Sequence, residues 1–195
     1  MTRTRLAFAL AAPLVVMLAG AAFAQGPARF GIGRSATPRE IAAIDIDIMP
    51  DGKALPAGRG TPAEGATVYA SKCAACHGKT GREGPNDILV GRDPRVGFPF
   101  SQDPKLPHTI GNYWPYATTV FDYVRRAMPP AAPGSLTDDE VYALTAFLLS
   151  ANELIASDAV MDRTTLPVVK MPALEHFVPD TRKQGPPKPA ARVKP

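Results

Sequence analysis

The two cysteines of this sequence, its only ones, determine how the rest of it is interpreted. Cys73 and Cys76 lie three positions apart, and His77 follows directly. This C-x-x-C-H pattern is typical of covalent attachment of a c-type haem. Two thiols at this spacing can add to the two vinyl groups of one haem, and the adjacent imidazole then lies under the iron. The motif predicts one covalently bound haem c, with His77 as the proximal metal ligand.

The neighbouring sequence argues against two other uses of a cysteine pair, a zinc site and a thioredoxin-like redox pair. A zinc site would need a second pair of cysteines or histidines, and no further C-x-x-C or H-x-x-x-H occurs. A thioredoxin-like pair would follow a strand and precede a helix. Here a helix is predicted before the motif, and glycines at positions 78, 81 and 84 follow it. Haem attachment is therefore favoured.

The first residues have the features of a secretory signal. Arg3 and Arg5 precede the apolar residues 6–22, and residues 22–24 (AFA) form a small-x-small cleavage site. A transmembrane anchor is the alternative, but a proline and a glycine interrupt an apolar run that is short for a span of about 20 residues. We expect residues 1–24 to be a cleaved signal peptide, the mature protein to be periplasmic, and no transmembrane segment to remain.

The positive charge of the chain is concentrated at its two ends. The formal net charge is +4 at pH 7, and residues 180–195 alone contribute +4. Two further arginines leave with the signal peptide, so residues 25–179 carry a net charge of about −2. A mildly acidic body argues against nucleic acid as a partner.

Two capping boxes predict two helices that pack together. Residues 61–64 (TPAE) begin a helix expected to run from 62 to 76, with Gly65 and Cys73 on one face. Residues 137–140 (TDDE) begin a second helix with an apolar stripe that is typical of core packing. Because a glycine allows another helix to cross closely, we expect the second helix to cross the first.

The ligand on the opposite side of the iron separates electron carriers from catalysts. Met128 is the best-placed candidate, because it follows a predicted helix from 115 to 126 and precedes two prolines. Met171 and His108 are the alternatives, and the remaining candidates are Met49, Met161 and His176. Histidine–methionine ligation leaves no open position for a substrate. We therefore expect electron transfer, with the catalytic centre on another chain, and not a haem enzyme with an open iron.

Together these features resemble the class I cytochrome c family. The resemblance rests on the G-x-x-x-Y-x-x-x-C-x-x-C-H-G run of residues 65–78, the Met128-Pro129 pair and the LTDDEV run of residues 136–141. It covers about residues 60–152. It implies an all-α class I cytochrome c fold with crossing terminal helices, His77 and Met128 as axial ligands, and one exposed haem edge.

A narrower resemblance is to the cytochrome subunit of sulfite or sulfur dehydrogenases, the SoxD type. It rests on residues 109–119 (TIGNYWPYATT) and 121–129 (FDYVRRAMP), with residues 30–34 and 158–162 adding support. It implies a molybdopterin-containing partner subunit that oxidises a sulfur compound, and a downstream cytochrome c or oxidase. Some members carry two haem domains, whereas this sequence has a single attachment motif. The alternative function is a freestanding electron-shuttle cytochrome.

Two aromatic residues and two arginines in this region are further candidates for contact with the haem. Tyr113 and Trp114 are expected to wall the crevice, where the phenol or indole group could bond a propionate. Arg125 and its neighbour Arg126 either neutralise the propionates or cover the solvent face of their helix; the sequence supports both interpretations equally.

Extensions flank the cytochrome domain, which we place at residues 61–152. In the N-terminal arm, residues 25–60, a capping box at Thr37 predicts a short helix to about residue 43. The alternation of residues 44–48 (IDIDI) then predicts a half-buried strand against the body or a partner, followed by a turn at residues 50–52. Residues 153–179 are expected to form an extended C-terminal wrap, and residues 180–195 a disordered basic tail.

Overall fold

The computed structural model describes residues 32–178, so the predicted signal peptide and basic tail lie outside the described residues. The chain divides into two compact units, residues 1–44 and 45–195. The first contains α1 (Pro38–Ile44). The second contains β1 (Arg59–Gly60), α2 (Pro62–Lys72), α3 (Ala74–His77), α4 (Ala117–Ala127), α5 (Asp138–Ala151) and β2 (Met161–Asp162), with short 3-10 helices at Pro99–Ser101, Leu166–Val168 and Pro172–His176.

In the first unit, the predicted capping box forms. The backbone N–H of Glu40 donates to Oγ1 of Thr37 at 3.3 Å, and the backbone N–H of Thr37 donates to the Glu40 carboxylate at 2.8 Å. The guanidinium of Arg34 binds the same carboxylate. These bonds satisfy N–H groups at the helix start that have no partner within the helix. The short helix predicted from residue 37 is confirmed.

The second unit is built around the crossing of α2 and α5. Both helices begin with the predicted capping boxes, at Thr61 and Thr137. Gly65 lies against α5 so closely that a Cβ atom there would collide with the carbonyl oxygen of Ala143. The rings of Tyr69 and Phe147 meet beside this contact, with centroids 4.8 Å apart. The predicted helix crossing is thus present, and a glycine permits it.

The helix predicted from 62 to 76 is interrupted at Cys73. The backbone there leaves the helical region, with φ −124° and ψ −33°, and separates α2 from the single turn of α3. The N–H groups of Cys76 and His77 both donate to the carbonyl oxygen of Cys73, at 3.1 and 3.0 Å. The motif therefore lies in a tight turn of its own, which the capping and periodicity patterns did not indicate.

Helix α4 packs on α5 and leads to the second half of the site. Phe121 is fully buried, and its ring lies 4.5 Å from that of Tyr142 in α5. Val120 and Val124 on the same side are also buried. The helix begins at Ala117, two residues later than predicted, and ends at Ala127, so that Met128 follows its last turn.

The predicted strand at residues 44–48 is wrong. Ile44 is the last residue of α1, and residues 45–49 form no strand in the described structure. Of the two later isoleucines, Ile48 is 5% exposed, whereas Ile46 is 39% exposed. Among the isoleucines, only Ile48 anchors this stretch to the body, so they do not form the continuous buried face that a half-buried strand would present. The turn predicted after it is present, with the N–H of Gly52 donating to Met49 at 2.9 Å.

The residues that follow α5 run over the body and are anchored at several points. β2 pairs antiparallel with β1, with Gly60 opposite Met161. Leu166, Met171 and Ala173 are all buried. Across residues 32–178, no helix combines the length and the apolar character needed to cross a membrane.

Candidate functional site

A mostly apolar cleft of about 980 Å³, counting the open space at its mouth, lies between α2, α4 and α5. The C-x-x-C-H motif lies on one side of this cleft, and Met128 also lines it. Tyr69, Val120, Leu144 and Leu148 contribute to the buried part of its wall. A deep apolar cavity with a few polar donor groups is the usual form of a cofactor site.

The cysteine-containing wall presents two free thiols and one oriented imidazole. Cys73 and Cys76 form no disulfide. Burial is the largest effect on the Cys73 thiol and raises its pKa to about 11, so this sulfur is neutral near pH 7. Nδ1 of His77 lies 2.8 Å from the carbonyl oxygen of Asp87. Because a carbonyl can only accept, Nδ1 carries the hydrogen, and the lone pair of Nε2 remains for a metal ion.

Further contacts hold this wall in place. The hydroxyl of Tyr69 donates to the carbonyl oxygen of Gly78 at 2.9 Å, which ties the end of the motif to α2. Lys72, also at the cleft, forms an ion pair with Glu140 of α5 at 2.7 Å. This hydrogen bond, with the capping contact of Thr137, lowers the pKa of Glu140. The sequence analysis did not single out Lys72, although it directly precedes Cys73 of the motif.

Met128 and His108 both line the cleft, whereas the other candidate distal ligands lie elsewhere. The N–H of Met128 donates to Val124 at 3.2 Å and closes the last turn of α4. Prolines follow it and also line the cleft. Met49 is half exposed, Met161 and Met171 are buried in the core, and His176 stacks on Phe98.

The aromatic and arginine candidates differ in where they lie. Trp114 lines the cleft and makes an edge contact with Tyr123, which also lines it, at 5.9 Å. Tyr113 is not a lining residue; its ring stacks on His108 at 4.0 Å. The proposed crevice wall therefore contains the tryptophan but not its neighbour.

Neither arginine is among the residues that line the cleft. Nε of Arg125 lies 3.0 Å from Oδ1 of Asp138, which joins the end of α4 to the start of α5. Arg126 binds Asp122 one turn earlier on α4. Both guanidinium groups thus have carboxylate partners in the protein. Of the two sequence interpretations, this placement favours a surface role over propionate contact.

One buried polar residue that the sequence analysis missed supports the loop at the cleft. Asn152 is 1% exposed and follows α5 directly. Its side-chain carbonyl accepts the N–H of Gly91 at 2.8 Å, and its NH₂ donates to Leu89, a lining residue, at 3.2 Å. An asparagine after a helix is common at C-caps. That role alone would not have indicated a contact with a loop 60 residues away.

The donor set fits haem c. Two thiols in one turn, an imidazole with a free nitrogen and a thioether in the same apolar cleft are the groups that such a haem requires. Within residues 32–178, no group of three His, Cys, Asp or Glu side chains is arranged to hold a metal ion by itself.

Comparison with known proteins agrees with a haem c site. Residues 60–148 match the family model described as cytochrome C oxidase, cbb3-type, subunit III. A chain in the crystal structure of the sulfane dehydrogenase SoxCD from Paracoccus pantotrophus is 42% identical, with a TM-score of 0.67; the match covers 80% of this chain and 75% of that one. No match was found among the curated proteins.

A helical fold with crossing terminal helices and this donor set defines a cytochrome c. The chain belongs to the cytochrome c family, and within it to the SoxD type of cytochrome subunit. The predicted all-α class I cytochrome c fold and the narrower resemblance are both confirmed.

Proposed function

We propose that this chain is a periplasmic monohaem cytochrome c. It accepts electrons from a molybdenum-dependent sulfite or sulfur dehydrogenase subunit and passes them to a downstream cytochrome c or oxidase. The observation that carries the proposal is the 42% identity to a chain of a sulfane dehydrogenase over 80% of this chain. At 80% of the chain, that match is longer than residues 60–148, the part that matches the cytochrome family model.

The cleft supports specific roles for four residues. Cys73 and Cys76 would hold the haem through two thioether bonds, and Nε2 of His77 would bind its iron. The Met128 sulfur would be the second protein ligand of that iron. The haem would supply a centre that gains and loses one electron at a time. With both ligands bound, it would offer no coordination site to a substrate.

The number of electrons involved supports catalysis on the partner subunit and electron transfer on this chain. Oxidation of sulfite or of a sulfane sulfur removes electrons in pairs, whereas one haem accepts a single electron. No cysteine remains in this chain beyond the two of the motif, so it offers no free thiolate for sulfur chemistry. Catalysis therefore belongs to the partner, and this chain carries electrons away from it one at a time.

The test is the ratio of molybdenum to haem in the protein purified gently from its native periplasm through a tag at the C-terminus. The proposal predicts a near-stoichiometric ratio and reduction of the haem when sulfite is added. A His77→Ala variant serves as the control for haem-dependent reduction. Haem without molybdenum, from cells grown on reduced sulfur, would contradict the proposal and favour a freestanding shuttle.

Two further measurements test the location and the haem count. N-terminal sequencing of the periplasmic protein should give a chain beginning at Gln25. Mass spectrometry under denaturing conditions should show the mass of one haem added to that chain. Recovery of an uncleaved N-terminus in the membrane fraction would contradict the periplasmic assignment.

A further inference from the structure

Four rings form a continuous stack that begins at the cleft. His108, a cleft-lining residue, stacks on Tyr113 with centroids 4.0 Å apart and planes 18° apart. Tyr113 stacks on Phe98 at 5.4 Å and 16°. Phe98 then stacks on His176 at 4.8 Å and 18°. Three consecutive near-parallel contacts thus connect the cleft to the C-terminal segment.

The outer end of this stack, His176, is followed by exposed apolar side chains. Phe177 contacts both Phe98 and Tyr113 edge-on, at 5.7 and 5.9 Å, and it is 42% exposed. Val178, which follows Phe177, and Val96, two residues before Phe98, are each 88% exposed. We call the group of Phe98, Tyr113, His176 and Phe177 the ring patch. Clustered aromatic side chains are the groups most enriched in the buried centres of protein interfaces.

Half of the ring patch lies outside the part of the chain that matches the cytochrome family model. His176 and Phe177 lie in the segment after residue 148, beyond the region that matches the cytochrome family model. That segment could have ended at Ala173, whose side chain is already buried in the body. It continues instead across the aromatic side chains near the cleft and adds a half-exposed phenylalanine to them. Such an addition suits a dedicated partner better than the brief encounters of a general shuttle.

The charge that follows the ring patch indicates the chemistry of the partner. The described chain ends at Val178, next to Phe177, and residues 180–195 carry a net charge of +4. In the sequence, a basic segment therefore begins within a few residues of the ring patch. Complementarity requires an apolar recess flanked by acidic groups on the partner.

We propose that the ring patch is the docking surface for the molybdenum-containing subunit, which presents an apolar recess bordered by acidic side chains. This inference rests on the proposed function. The position of the ring patch suits the task, because Tyr113 stacks on His108, which lines the cleft. The four stacked rings connect a subunit bound at His176 to the proposed haem site, and electron transfer requires such proximity.

The test compares two variants of the full chain, each purified from the native periplasm. Phe177→Asp places a charge in the ring patch, and Val160→Asp places the same charge on a side chain of similar exposure, 41% against 42%. We expect Phe177→Asp to weaken association about tenfold or more, as for loss of an aromatic interface residue. The molybdenum-to-haem ratio should fall accordingly, whereas Val160→Asp should keep the ratio of the unaltered chain.

Two additional variants keep the test decisive. Phe177→Ser removes the ring without adding a charge and should also lower the ratio, with haem content and visible spectrum unchanged. Replacing the five basic residues of 180–195 by glutamine should slow association and reduce its dependence on salt. If Phe177→Asp and Phe177→Ser both copurify with molybdenum as the unaltered chain does, the docking surface is wrong although the proposed function stands. If the unaltered chain itself carries no molybdenum, the proposed function fails, and the assignment of this partner fails with it.

Discussion

The backbone N–H of Ile48 donates a hydrogen bond to Oδ1 of Asp122, 3.1 Å away and 74 residues later in the chain. Nearby, the hydroxyl of Thr118 donates to the carbonyl oxygen of Pro50 at 3.0 Å. The two bonds lie one turn apart on α4. They fasten the residues that precede the cytochrome domain along the helix that ends at Met128. The arm is thus linked to the cleft through α4.

Replacing Asp122 by alanine should destabilise the protein by about 1–3 kcal/mol, because the N–H of Ile48 would lose its acceptor at a buried site. Guanidinium chloride unfolding followed by circular dichroism would measure the loss. Asp122→Asn is the matched control, since its amide oxygen can still accept that bond. Its ion pair with Arg126 would be lost, but the arginine is 45% exposed and such pairs contribute little. Equal losses in both variants would show that the arm contact contributes nothing.

Gly65→Ala should destabilise the protein by about 1–3 kcal/mol through overpacking against α5. Helix propensity alone predicts the opposite sign, a gain of up to about 1 kcal/mol. The collision of the new Cβ with the Ala143 carbonyl decides between them, because neither backbone can move without separating the helices. Thr67→Ala on the exposed side of α2 is the control and should be neutral or slightly stabilising. Thermal unfolding of all three proteins would measure the difference, and a stabilised Gly65→Ala would refute the close crossing.

Met128→Ala should lower the reduction potential while the haem stays covalently attached, because thioether ligation raises the potential of the iron. His108→Ala, the other candidate in the cleft, should leave the potential nearly unchanged. Potentiometric titration of both variants would give the potentials. Absorption spectra of the ferric proteins would report whether the methionine band is lost. A lowered potential in the histidine variant alone would reverse the assignment.

Acid stability should depend on Asp162, whose carboxylate accepts hydrogen bonds from the N–H groups of Thr164 and Thr165 at 2.7 and 2.9 Å. The hydrogen bond from the Thr164 hydroxyl is the largest cause of its lowered pKa, about 2 against an ordinary value of 3.8. Since the folded pKa is the lower one, the stabilisation is present above pH 4 and is lost as the pH falls towards 2.

Asp162→Asn should therefore show a shallower loss of stability between pH 4 and 2 than the unaltered chain. Its amide oxygen preserves an acceptor for the turn while the titrating group is gone. Denaturant unfolding at a series of pH values would give the slopes. Asp158→Asn, an equal change of charge at an exposed position, is the control. Identical slopes for Asp162→Asn and the unaltered chain would exclude this origin of acid sensitivity.

Three of the helix starts could be predicted from the sequence because their causes are local. At Thr37, Thr61 and Thr137, a hydroxyl and a glutamate three residues later satisfy each other's backbone N–H groups. The crossing at Gly65 was predictable for a similar reason, since one missing side chain permits it. The interruption at Cys73 was not, because nothing in the periodicity distinguishes a continuous helix from two joined by a tight turn.

The failed strand shows what a pattern cannot specify. The alternation of residues 44–48 fits a half-buried strand, but a strand also needs a neighbour with free backbone groups. Here Asp122 of a helix takes the N–H of Ile48, and α1 extends through Ile44. A carboxylate so distant in sequence leaves no trace in the local pattern.

The candidate site also combines features that the sequence could predict with features that it could not. The sequence placed Met128 and Trp114 near the attachment motif, and both line the cleft with it. Their roles as haem contacts remain predictions. The sequence did not distinguish Tyr113 from Trp114, but successive residues point in different directions, and Tyr113 stacks on His108 without lining the cleft itself. Arg125 pairs with Asp138, a partner 13 residues away that the sequence did not indicate.

The packing around Ala143 has an evolutionary consequence. A Cβ at Gly60 would strike its backbone nitrogen and Cα, and one at Gly65 would strike its carbonyl oxygen. Two glycines from different segments therefore hold the same alanine between them. In a library of variants, substitutions at these three positions should be coupled, because a larger side chain at any one of them requires a compensating change elsewhere. Distant relatives that keep this helix crossing should retain small residues at all three positions, even where the rest of α5 has diverged.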